Sequence, residues 1–210
     1  MKNGLIKICG LANEADVVAT LEMKPDYVGF IFWPKSPRAV TPGQVRDWTK
    51  GRMPAGTKKV GVFVNASREE LQQSAEIAGL DVLQLHGDES AEMINDLDCP
   101  VWKVLHLDRL PEGFDKLPVE ALLIDSGTVE MPGGTGVRVD TDRAADFVKQ
   151  SNLPVLLAGG LKADSVADAI SKVRPSGVDV ASGVERAPGQ KDLDAVRSFI
   201  QNARNAFLTL

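Results

Sequence analysis

Two residues of this chain suit acid–base chemistry. Cys9, followed at once by Gly10, and Asp125, preceded by Leu122, Leu123 and Ile124, each close a strand-like run. A free thiol titrates near ~8.5, and nearby positive charge is expected to lower it into the range of a useful base. A carboxyl ending an apolar strand is partly desolvated, which favours its protonated, acid form. The competing readings are a small buried hydrophobe for the cysteine and a turn or N-cap residue for the aspartate. The first suits Cys99, which lies just before the fifth strand-like run, better than Cys9. His86 and His106 close the fourth and fifth runs. A metal site needs further ligands and supporting carboxylates, so hydrogen-bonded histidines lining a pocket are expected and no metal is.

A second group of residues suits an anion. Ala158-Gly159-Gly160-Leu161 and Ala181-Ser182-Gly183-Val184-Glu185 follow two consecutive strand-like runs. Glycine lets the backbone approach a ligand closely, and backbone N–H groups beside a short helix favour a phosphate dianion. Gly133-Gly134-Thr135-Gly136 is no P-loop, because no Gly-Lys-Ser/Thr follows it.

The elements that must position these residues alternate. Strands are expected over Leu5–Cys9, Tyr27–Phe32, Lys59–Val64, Val82–Leu85, Val101–Leu105, Leu122–Asp125, Val155–Ala158 and Val178–Ala181. Helical periodicity fills Asn13–Met23, Arg68–Ala78, Glu89–Leu97, Ala144–Gln150, Asp164–Val173 and Leu193–Ala206. About eight strand–helix repeats point to a parallel α/β fold, a (β/α)8 TIM barrel. An open doubly wound sheet is disfavoured, since no Gly-x-Gly-x-x-Gly follows the first strand. In a barrel the loops after the strands build the site, which draws attention to Lys35–Thr41 and to Ser126–Val139, both suited to act as lids. Polar residues inside barrel strands need partners. Lys7 and Cys9 share a face of strand 1, Gln84 and His86 a face at the end of strand 4, and Asp179 sits within strand 8. Closure makes strands 1 and 8 neighbours, so Lys7 and Asp179 are expected to pair.

The 210 residues suit a single catalytic domain, 1–210, with no room for a second. Lysines and arginines (24) against aspartates and glutamates (29) leave a net charge of −5 with both signs dispersed, which argues against a nucleic-acid partner. No apolar stretch approaches the ~20 residues that cross a bilayer, and no signal-peptide pattern opens the chain. Two cysteines are too few for a disulfide framework, so a reducing cytoplasm is expected.

Several motifs in one order resemble the phosphoribosylanthranilate isomerase family of tryptophan biosynthesis. They are Lys7-Ile8-Cys9-Gly10-Leu11, Gly29-Phe30-Ile31-Phe32 with Ser36-Pro37-Arg38, Val60 to Asn65, Gln84-Leu85-His86-Gly87 and Asp125. Gly133 to Gly136, Ala158 to Leu161, Asp179 to Glu185, Pro188-Gly189 and Lys191-Asp192 complete the set. The resemblance implies an Amadori rearrangement of N-(5-phosphoribosyl)anthranilate to 1-(2-carboxyphenylamino)-1-deoxyribulose 5-phosphate, with no cofactor. It casts Asp125 as general acid and Cys9 as general base. Arg38 matches the residue holding the anthranilate carboxylate, Gly159, Gly160, Ser182 and Gly183 the phosphate grip, and Asp179 a position near the ribose hydroxyls, with His86 also in the substrate pocket. A phosphorylated small molecule is then the partner, and a monomer or homodimer the assembly. The chain departs from the family pattern at Ala12 (usually Thr), at Val139 and Asp140-Thr141 (usually Phe and Asp-Trp), and at Ser165 (commonly Asn). Rival readings are a metal-dependent ribulose-phosphate epimerase using His86 and His106, an indole-glycerol-phosphate synthase, whose early Lys-x-Ser-Pro-Ser segment is missing, and a catalytically silent barrel, which would not need both Cys9 and Asp125.

Overall fold

The computed structural model describes residues 4–125 and 140–210, so the glycine-rich segment after strand 6 lies outside the described residues. Eight parallel strands close into a barrel in chain order: β1 (Leu5–Ile8), β2 (Tyr27–Ile31), β3 (Lys58–Phe63), β4 (Val82–Leu85), β5 (Val101–Leu105), β6 (Ala121–Ile124), β7 (Val155–Leu157) and β8 (Gly177–Val180). The seam between β1 and β8 pairs Leu5 with Gly177, Lys7 with Asp179 and Ile8 with Val180. Outside the barrel run α1 (Glu14–Glu22), α2 (Pro42–Thr49), α3 (Arg68–Ala78), α4 (Ala91–Asn95), α5 (Thr141–Gln150), α6 (Val166–Val173) and α7 (Leu193–Leu208).

Helix starts follow local chemistry. Asn13 accepts from the Asp16 N–H at the head of α1, and Ser67 with Glu70 forms a capping box at α3. The fifth crossover has a 3-10 turn, Phe114–Lys116, instead of an α-helix. Its segment carries Pro111, Gly113 and Pro118, which interrupt any longer helix. α4 is shorter than the periodicity suggests, because Ser90 caps it and Glu89 turns inward to Lys103. After β8 the chain makes a 3-10 turn, Ser182–Val184, and then a hairpin of β9 (Glu185–Ala187) and β10 (Gln190–Lys191).

The period-two alternation of each strand divides the core. Outward residues such as Ile6, Ile8, Leu83, Leu85, Leu122, Ile124, Val178 and Val180 pack with the helices. Inward residues Val60, Val82, Trp102, Val104, Ala121, Leu123, Leu156 and Ala158 fill the barrel, with Tyr27 edge-on to Trp102 at 4.6 Å. The same parity turns Lys7, Gln84 and Asp179 inward.

Candidate active site

Above this apolar filling, the C-terminal ends of strands 1, 4, 6 and 8 turn polar side chains inward. A cavity of about 360 Å³ opens there, lined by Cys9, Arg38, His86, Asp125, Gly159, Gly160, Asp179, Ser182 and Gly183. The residues expected from the sequence to act as acid, base, substrate contacts and phosphate grip therefore line one cavity. Gln84 joins the polar lining, and Ile31, Trp33, Pro37, Val62, Val64 and Leu161 supply apolar wall. His106, by contrast, is not among the lining residues. Gly133 to Gly136 lie outside the described residues.

Cys9 follows β1, its N–H still donating to the Val180 carbonyl at 2.8 Å. Its side chain is buried, and burial pushes the thiol up rather than down. This corrects the expectation of a lowered thiol: the Lys7 ammonium pulls the other way but does not overcome desolvation. Lys7 is wholly buried, and its Nζ donates to Asp179 Oδ1 at 2.8 Å, the pairing expected across the seam. Burial disfavours the ammonium, but Asp179 and the sulfur outweigh it and hold the lysine above its ordinary value.

Asp125 follows β6, its N–H donating to the Leu105 carbonyl at 3.2 Å. Its Oδ2 lies 3.9 Å from His86 Nε2. Burial, with His106 and Lys103 adding to it, pushes His86 down to about 3, so the ring is neutral at physiological pH. The two imidazoles stack at 5.6 Å. His86 Nε2 and His106 Nδ1 have no hydrogen-bond partner among the described residues. Nor do the described residues contain a group of three or more His, Cys, Asp or Glu side chains able to hold a metal.

The two glycine loops meet beside these groups. Gly159 (φ 87°) and Gly160 (φ 65°) both lie in the left-handed region, which turns the chain sharply after β7. On the neighbouring loop, a Cβ on Gly183 would overlap the Leu161 carbonyl oxygen. Only glycine permits the two loops to approach this closely.

Other functional features were not foreseen. Arg38 presents Nε and Nη2 to Glu185, with Nη2 at 2.7 Å from Oε2. Glu185 also accepts from Lys191 Nζ at 2.9 Å, and that wholly buried lysine donates to the Ala181 carbonyl at 3.0 Å. Burial opposes the Glu185 carboxylate, but these cations hold it below its ordinary value. Lys103 Nζ clamps the loop after β4 through the Gly87 carbonyl (2.6 Å) and Glu89 (3.0 Å). The only sequence signal for Lys103 was a charge within an apolar strand; Glu185 and Lys191 stood out only as parts of a motif.

A family model described as N-(5'phosphoribosyl)anthranilate (PRA) isomerase matches residues 6–202. The chain is similar to the N-(5'-phosphoribosyl)anthranilate isomerase of Listeria monocytogenes, 39% identical over 203 residues, covering 95% of this chain and 98% of the relative. It is also similar to the crystal structure of phosphoribosyl anthranilate isomerase from Thermotoga maritima, with a TM-score of 0.84, 33% identity and coverage of 96% and 99%. A further solved phosphoribosyl anthranilate isomerase, in complex with reduced 1-(o-carboxyphenylamino)-1-deoxyribulose 5-phosphate, superposes with a TM-score of 0.82 at 31% identity, covering 96% of this chain and 99% of that one.

Proposed function

Because the chain belongs to the N-(5'-phosphoribosyl)anthranilate isomerase family, we propose that its cavity rearranges N-(5'-phosphoribosyl)anthranilate to 1-(2-carboxyphenylamino)-1-deoxyribulose 5-phosphate. The observation that carries this reading is that Cys9 and Asp125 line one cavity with both glycine loops. The phosphate sits on Gly159, Gly160, Ser182 and Gly183. The aromatic ring lies along the apolar wall that includes Trp33, and Arg38 offers its carboxylate the Nη1 edge that Glu185 does not take up. Asp179 faces the ribose hydroxyls, and neutral His86 borders Asp125.

With the phosphate fixed, Asp125 gives its proton to the furanose ring oxygen. The C1–O bond breaks as the anilino nitrogen's lone pair forms a C1=N iminium. Cys9, as thiolate, then takes the C2 proton. The C–H electrons become the C1=C2 double bond, the iminium pair returns to nitrogen, and the enolamine tautomerises to the ketone. The iminium acidifies C2, so this chemistry asks for no metal or cofactor. Each positioned proton transfer contributes about 10²–10⁴-fold. The work is that of one catalytic domain, as a monomer or homodimer, since one chain lines the cavity. Dependence on a reduced Cys9 fits a cytoplasmic enzyme.

The test generates the unstable substrate in situ and follows the loss of its anthranilate fluorescence when the protein is added. Turnover that persists in chelator supports the reading and removes the epimerase alternative; no turnover would sink it.

A further inference from the structure

We propose that Lys7 is a positioning residue for the base: its ammonium is shared between Asp179 and the Cys9 sulfur, and a substrate that engages Asp179 releases it to the sulfur. This rests on Cys9 being the base.

A lysine wholly buried in a barrel is costly, and an apolar side chain of similar volume would fill the space more cheaply. Lys7 is absent from the cavity lining, whereas Cys9 and Asp179 both line it. It therefore lies behind the two groups that face substrate and cannot reach the sugar itself. The ammonium donates to Asp179 at 2.8 Å, and its charge also favours the Cys9 thiolate, so it has protons left to offer the sulfur. The convergence is visible from β2: a Cβ on Gly29 would lie 2.7 Å from Cys9 Sγ and 3.0 Å from Lys7 Cε. Gly29 leaves the room in which sulfur and lysine meet.

The other charges acting on the sulfur are Asp179 on β8, Lys191 on the hairpin and Arg38 from the loop after β2. Lys191 and Arg38 are both committed to Glu185. That leaves Lys7 as the cation able to turn towards the thiolate. In the free protein Asp179 holds the ammonium and the buried sulfur stays a thiol. As the sugar's hydroxyls engage Asp179, the carboxylate's hold weakens, the ammonium turns to the sulfur, and the thiol proton leaves to solvent. After the thiolate takes the C2 proton, it is a thiol again and Lys7 returns to Asp179. Thiolate formation is thus tied to a seated sugar.

The experiment records kcat and kcat/KM against pH for the wild type, Lys7→Met, Asp179→Asn, the Lys7→Met/Asp179→Asn double variant and Cys9→Ser. The acidic limb of kcat reports the base in the substrate complex and is expected to lie below that of kcat/KM in the wild type, coincident limbs overturning the release of Lys7 by the sugar. The acidic limb of kcat/KM reports the base in the free enzyme. Lys7→Met is expected to move that limb up by about one pH unit or more, whereas Asp179→Asn, which leaves Lys7 to the sulfur alone, moves it down. A merely structural pair would not shift the limb in opposite directions. If Lys7→Met fails to fold with Asp179 unpaired, the double variant carries no stranded charge and is still expected to move the limb up. A wild-type limb in Lys7→Met or in the double variant overturns the proposal. Cys9→Ser separates the two readings. Wild-type turnover in it would remove the base assignment itself, while its inactivity beside an unmoved Lys7→Met limb would remove only the role of Lys7.

Discussion

Replacing Gly183 with alanine tests the phosphate grip. A Cβ there would overlap the Leu161 carbonyl oxygen, lie 2.9 Å from the Leu161 carbonyl carbon and 3.3 Å from Lys162 Cγ. The obstruction is mainly backbone, so it cannot rotate away like a side chain. Either the 3-10 turn after β8 moves outward or the loop after Gly159-Gly160 does. Such overpacking costs about 1–3 kcal/mol. The functional cost is separate: parting the loops strips at least one backbone donor from the phosphate, and a hydrogen bond to a charged group is worth about 1.5–3 kcal/mol. At about 1.4 kcal/mol per factor of ten, KM should rise roughly 10- to 100-fold. Inorganic phosphate should weaken in parallel as a competitive inhibitor. Gly43→Ala is the control, because its Cβ would meet nothing within 4 Å and lies in the first turn of α2. The assay is the steady-state fluorescence decay with increasing phosphate, alongside a thermal melt. Unchanged KM and phosphate inhibition in a folded Gly183→Ala protein would refute the assignment of this loop.

Other outcomes follow from the same geometry. Cys99, partly exposed and outside the active cavity, should tolerate serine with near-wild-type turnover, and an essential Cys99 would invert the assignment of the barrel's catalytic face. Glu185→Gln strands Arg38 and Lys191 and should cost roughly 3 kcal/mol in urea unfolding with a rise in KM; unchanged stability and KM would show the cluster to be idle. His86, pushed down to about 3, stays neutral in the fold while the unfolded chain takes up a proton below about 6.5. The unfolded state thus binds more protons in this window, so stability is lost as pH falls from about 6.5 towards 3. That amounts to roughly 2 kcal/mol between pH 6.5 and 5, which His86→Gln should abolish in denaturant titrations at the two pH values. An equal loss in both proteins would contradict the buried neutral imidazole.

Much of the barrel is legible because period and position constrain each other. Val82–Leu85 and Val101–Leu105 are read to the residue. Strands 1, 2, 3, 6, 7 and 8 instead end one residue sooner than their apolar runs suggest, at Ile8, Ile31, Phe63, Ile124, Leu157 and Val180. Cys9, Asp125 and Ala158 still donate to the preceding ladder. They no longer continue the strand because the chain there turns to form the cavity rim. The Lys7–Asp179 pair was readable because closure makes β1 and β8 neighbours. α2 escaped notice because only Val45 and Thr49 are buried in it, although Thr41, Pro42 and Gln44 carried a capping signal. The Arg38–Glu185 contact joins residues 147 apart through two loops, and no periodicity encodes it. A wholly buried Lys191 reads in sequence as a surface residue; its burial depends on a hairpin folded back over Glu185. The direction of the Cys9 shift was likewise hidden, because it depends on how completely the sulfur is enclosed.

The turnover of Asp125→Asn, with folding verified by circular dichroism, tests the central claim most directly. Asparagine keeps the shape of the side chain but cannot give a proton to the ring oxygen. The account predicts a loss of at least about 10²-fold in kcat with phosphate binding retained. Near-wild-type turnover in the folded variant would contradict it.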